Sequence, residues 1–130
     1  MPGSDTAVLE LDEDTIRLDP GVALVNVVLS ADPRTGIQPD TARIRAGDVV
    51  RFVTGDGVPH AVAFDRARLT PAAQRFLGRT GQLRGPPLVT TGANWVVSFE
   101  GAPPGSYPFT DLSHGFHGVV MVAAPPDAPR

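Results

Sequence analysis

Apolar and polar positions alternate in short runs along most of this chain, and glycine or proline separates the runs. Val8-Leu9-Glu10-Leu11 and Thr15-Ile16-Arg17-Leu18 alternate enough to predict short edge strands. Asp19-Pro20-Gly21 is a turn signal. Val22 to Leu29 (VALVNVVL) is nearly continuous and β-branched, as in a strand buried on both faces. Asn26 within it is expected to be a satisfied polar group. After a turn-rich stretch from Ala31 to Thr41, Ala42 to Arg45 and Val49 to Val53 predict two more strands around an Ala46-Gly47-Asp48 turn. The loop Thr54 to Pro59 delivers His60 to the head of Ala61-Val62-Ala63-Phe64. Pro59 has no N–H and restricts the residue before it, so His60 is expected beside an edge or mouth.

The period then breaks. Thr70-Pro71 reads as an N-cap followed by proline at the first helical position, and Gly78 reads as a stop. The result is a helical insertion around residues 70–78, which Leu69, Phe76 and Leu77 would pin to a sheet. Arg79 to Pro87 (RTGQLRGPP) carries no pattern and is expected to be mobile. Strands return at Asn94 to Phe99, Tyr107 to Thr110 and Val119 to Val122, with Trp95 as a core or edge aromatic. Seven or eight strands with one short helical insertion predict an all-β protein, a β-sandwich.

Composition narrows the picture. The 130 residues make a single domain over 1–130, with residues 1–6 and 123–130 expected as flexible ends. A net charge of −3 leaves no basic footprint for nucleic acid. No apolar run reaches the ~20 residues of a membrane span. The acidic start has neither a basic nor an apolar leader region, which predicts a cytoplasmic address for the chain as given, or a periplasmic or secreted one for a processed form. With no cysteine there is no disulfide, thiolate ligand or thiol nucleophile.

The chemistry concentrates in Tyr107 to Val122, YPFTDLSHGFHGVVMV. It holds Asp111, His114 and His117, and His60 is the only other histidine. Three imidazoles and a carboxylate on strand ends and one turn read as a metal site. The plain alternative is an Asp111 that caps a turn among surface or core histidines. Other groupings are weaker. Asp48, Asp56 and Asp65 fit turn chemistry, and Ser113 next to His114 makes no nucleophile–base geometry. Gly55-Asp56-Gly57 precedes no helix and so is no phosphate loop. Arg43, Arg45 and Arg51 could form a basic stripe on one sheet face.

Three segments in order, IQPDTARIRAGDVVRFV, PHAVAF and PPGSYPFTDLSHGFHGVVMV, resemble the cupredoxins, Greek-key β-sandwich copper proteins related to plastocyanin and amicyanin. The resemblance covers about two-thirds of the chain and implies a Greek-key sandwich. It implies His60 as the upstream copper ligand and His114 as the loop histidine. Asp111 stands where the family has its cysteine, and His117 stands where short-loop members have the axial methionine. Gly118 matches the glycine closing the loop, Ala61 replaces a frequent asparagine, and Met121 is expected in the core. A blue site needs the thiolate, whereas three imidazoles and one carboxylate suit Cu(II) in a tetragonal arrangement, with Zn(II) as the alternative. The implied function is a non-blue, type 2-like copper protein in electron transfer or copper handling, with a redox protein as partner. The alternatives are a small copper or zinc enzyme with an open position acting on a small redox molecule, and a metal-free interaction module.

Overall fold

The computed structural model describes residues 9–10, 15–19 and 22–124. Its strands are β1 (Leu9–Glu10), β2 (Thr15–Asp19), β3 (Val22–Leu29), β4 (Ile37–Gln38), β5 (Thr41–Arg45), β6 (Val49–Thr54), β7 (Val62–Phe64), β8 (Asn94–Ser98), β9 (Gly105–Asp111) and β10 (Phe116–Ala123). Two of these are only two residues long. They form two sheets, one ordered β1-β2-β3-β6-β8 with β4 also on β3, the other β5-β10-β9-β7. Parallel pairs β3–β6 and β5–β10 occur among antiparallel ones, so the chain crosses between sheets, as in a β-sandwich.

Alternation explains the core. Val25, Val27, Leu29, Val50, Phe52 and Val97 face inward from one sheet, and Ile44, Phe64, Tyr107, Phe109, Val120 and Val122 from the other. β3 therefore buries one face fully and the other only in part, because Asn26 and Val28 remain half-buried. Asn26 accepts from Arg51 Nε at 2.7 Å on the neighbouring strand β6. Arg51 thus lies in a different sheet from Arg43 and Arg45, and the three form no single stripe.

Helix α1 (Pro71–Arg79) starts as expected, with Thr70 Oγ1 accepting from Ala73 N at 3.1 Å. It runs one residue past Gly78, and its Ala73, Phe76 and Leu77 are buried, as is Leu69 just before it. Arg79 to Pro87 is not loose. Phe64 N donates to Leu83 O and Gly85 N to Val62 O, while the Gln82 side chain spans to the Ser98 backbone. Gly85 is required there, since a Cβ would lie 2.4 Å from Trp95. Residues 1–8 and 125–130, together with Pro20 and Gly21 of the expected turn, lie outside the described residues. Ala123 is the last residue of β10 rather than part of a tail. Met121 lies across from Ser106, half-buried on the outer face of its sheet, not in the core.

Candidate metal centre

Two segments meet at one end of the sandwich. The β9–β10 hairpin turns through Leu112-Ser113-His114-Gly115, with Gly115 at φ +74. The turn is templated by Asp111 itself. Its carbonyl accepts from His114 N at 3.2 Å and Gly115 N at 2.7 Å, and its Oδ1 accepts from Ser113 N at 3.1 Å. The second segment is the loop from β6 to β7, whose end is pinned by a reciprocal pair of backbone bonds between His60 and Leu88, both 2.8 Å. Leu112 N donates to Ala61 O at 2.7 Å and ties the two segments together.

Asp111 shares the inward face of β9 with Tyr107 and Phe109 and is fully buried. His60 is also fully buried, and its ring lies between two carboxylates. Nδ1 is 2.6 Å from Asp111 Oδ2, and Nε2 is 2.9 Å from Asp56 Oδ1. Carboxylates at both ring nitrogens favour the protonated form of the ring. Burial by itself pulls the His60 pKa down. The hydrogen bonds and charges of Asp111 and Asp56 outweigh it, and the pKa stands above its ordinary 6.5. Asp56 is lowered to about 2, first by the bond from Ala31 N and next by His60.

His114 is half-buried and stacks on Phe116 with an interplanar angle of 22°. Its Nε2 lies 3.2 Å from Pro59 O, a carbonyl that can only accept. In that contact Nε2 is the donor. Behind Phe116 lies Gly36, at φ +47, where a Cβ would come within 3.3 Å of that ring. Gly36 closes a turn by accepting from Ser30 N at 2.8 Å, and the next amide, Ala31 N, donates to Asp56 Oδ2 at 2.9 Å.

His60, Asp111 and His114 each offer one donor atom such that the three atoms lie within 4.8 Å of one another. Two imidazoles and a carboxylate at this spacing are a donor set that could hold a divalent transition metal, whose binding would displace any proton on the ligating nitrogens. The sulfur of a blue site is absent.

The structure does not bring His117 to this group. Residues 112–115 form the turn, so Phe116 pairs with Asp111 and His117 pairs with Thr110. His117 therefore projects from the outer face, while Asp111 points into the interior. It is exposed and its Nδ1 is 3.0 Å from Thr110 Oγ1, whose proton goes to Asp65 Oδ1 at 2.9 Å. Asp56, by contrast, is at the centre although its sequence reads as a turn. The available signal was its place four residues before His60, in a Gly-Pro-containing loop able to fold back on itself.

No protein-family profile matches the chain. No curated protein matches it. Solved structures do. A purple cupredoxin from Nitrosopumilus maritimus is 22% identical over 75% of this chain and 98% of its own, with a TM-score of 0.55. Pseudoazurin from Methylobacterium extorquens is 21% identical over 80% of this chain and 78% of its own, at 0.54. A reduced Cu(I) form of an amicyanin variant is 16% identical over 76% of this chain and 81% of its own, at 0.55. The chain has a cupredoxin-like fold.

Proposed function

We propose that this protein binds one copper ion in a non-blue, type 2-like site formed by His60, Asp111 and His114, and serves one-electron transfer or copper handling. The observation that carries the reading is the convergence of those three side chains, two on one hairpin and one from 51 residues away in the chain, at one end of a cupredoxin-like sandwich. The amicyanin neighbour in its Cu(I) form supports copper. So does the Irving–Williams order, in which a nitrogen and oxygen set holds Cu(II) more tightly than Zn(II). Zn(II) is the competing ion for the same donors. The hard Asp111 carboxylate in place of a thiolate favours Cu(II), giving a low reduction potential and little colour. A redox protein is the expected partner. Val58 and Leu112, exposed by 37% and 47%, lie within two residues of His60 and Asp111 and offer apolar surface beside the centre.

Metal analysis with EPR on copper-loaded protein tests the reading. One equivalent of Cu(II) with a type 2 spectrum is expected. Less than one equivalent of any metal would overturn it.

A second reading, redox chemistry on a small molecule such as superoxide or nitric oxide, is favoured by the count of donors. With His117 on the outer face, the protein supplies three ligands, which leaves a coordination position for an exogenous one. Azide added to the Cu(II) protein decides between the two: a changed EPR spectrum supports the open site, and an unchanged one supports electron transfer.

A further inference from the structure

We propose that Asp56 is a positioning residue of the metal centre, holding His60 by Nε2 so that Nδ1 is the nitrogen presented to the ion. The inference rests on the metal reading above.

His60 has a ring with two nitrogens and no solvent contact, so its orientation is set by what each nitrogen touches. Nδ1 faces Asp111, another member of the three-residue donor group, at 2.6 Å. Nε2 faces Asp56 at 2.9 Å. When an ion binds, Nδ1 must give up its proton, and the remaining N–H is the one on Nε2. A carboxylate waiting at that N–H fixes the tautomer and makes the imidazole a stronger donor.

Asp56 is itself held in place. Its Oδ2 accepts from Ala31 N at 2.9 Å, and its Oδ1 also accepts from Val58 N at 3.2 Å. Two backbone amides on two different loops thus aim the carboxylate. Backbone bonds to Leu88 fix the other end of His60. The contrast with His114 is chemical. Its outer nitrogen has a neutral acceptor, the Pro59 carbonyl at 3.2 Å, and its ring is half-buried. His60 is therefore the more tightly held imidazole of the pair, with a carboxylate rather than a carbonyl at its outer nitrogen. Asp56 stabilises Cu(II) relative to Cu(I) by adding negative charge behind the ligand.

The test compares wild type, Asp56→Asn and Asp56→Ala, measuring Cu(II) affinity by chelator competition and the midpoint potential of the bound copper. Asp56→Asn keeps an acceptor for the Nε2–H and removes the charge. It is expected to raise the potential and weaken Cu(II) binding, and Asp56→Ala to weaken it by about 10- to 100-fold. Wild-type affinity and potential in Asp56→Asn overturn the proposal, even if Asp56→Ala binds poorly, because a merely structural carboxylate would leave the potential unmoved. Nitrogen-15 NMR of zinc-loaded wild type gives a second decision that needs no variant to fold. A metal-bound Nδ1 and a protonated Nε2 on His60 are expected, and a metal-bound Nε2 overturns the proposal. If wild type binds no metal at all, the metal reading itself has failed. If wild type binds and the variants match it, only the role of Asp56 has failed.

Discussion

His60 Nδ1 and Asp111 Oδ2 lie 2.6 Å apart, both side chains without solvent contact, and join two segments 51 residues apart in the chain. With His60 protonated, this is an ion pair taken out of water. Such a pair is costly to break from one side, because the buried ring nitrogen facing position 111 would be left without an acceptor and Asp56 would be the only carboxylate still bonded to His60. Asp111→Ala is therefore expected to destabilise the metal-free protein by roughly 3 kcal/mol or more, with the lost turn bond to Ser113 adding to the effect. Urea unfolding measures it. A loss below about 1 kcal/mol, the scale of a surface pair, would contradict the buried pairing.

The same pairing gives the metal-free protein a defined pH window. His60 has its folded pKa above the ordinary 6.5, so its stabilisation is complete below about pH 6.5 and is lost as pH rises through the folded value. Asp56 runs the other way. Lowered from 3.8 to about 2, it stabilises above 3.8, and that contribution is lost as pH falls towards 2. Thermal unfolding across pH should show these contributions together between about pH 4 and 6.5, with a decline on the alkaline side. Stability that climbs from pH 6 to pH 8 would contradict it. Because binding must displace the Nδ1 proton, copper affinity should rise over the same alkaline range.

His117→Ala should leave the proposed copper site alone. The side chain is exposed on the far side of its sheet, so stoichiometry and EPR hyperfine parameters are expected to match wild type. A lost nitrogen coupling in the variant would return His117 to the ligand set.

Asp111→Cys tests the register from the other direction. A thiolate at that position, facing His60, would supply the soft donor of a blue site. An intense visible charge-transfer band is expected on adding Cu(II). A colourless product would mean that position 111 does not face the ion.

Gly118→Ala tests the hairpin's support. A Cβ there would lie 2.5 Å from Phe109 Cζ and 3.0 Å from Asp40 O, since the Phe109 ring lies against the glycine. The change is expected to cost about 1–3 kcal/mol in chemical unfolding. It should also weaken metal binding, because Phe109 belongs to the strand that ends in Asp111. A variant as stable as wild type would show that the ring moves aside freely.

Much of the fold is legible in the residues themselves. Period-2 runs locate the longer strands, and Thr70-Pro71 marks the helix start, because each depends on local chemistry. Of the site, Asp111 and His114 share one turn, and His60 follows Pro59 at the end of the loop from β6 to β7. His117 was misplaced for a reason of parity. Spacing alone does not say how many residues a hairpin spends on its turn, and with four spent, the sixth residue after Asp111 falls on the opposite face. Asp56 was missed for a different reason. Its pairing with His60 depends on the loop folding back and on the amide of Ala31, a long-range contact that no periodicity encodes.

The turn from Ser30 to Gly36 touches neither histidine, yet both lean on it. Ala31 holds Asp56, which holds His60. Gly36 backs Phe116, which backs His114. The two imidazoles thus share one abutment, in a part of the chain that carries no ligand. A displacement there would move the supports of both rings at once. In the proposed centre, this remote turn would therefore bear on the orientation of both imidazoles.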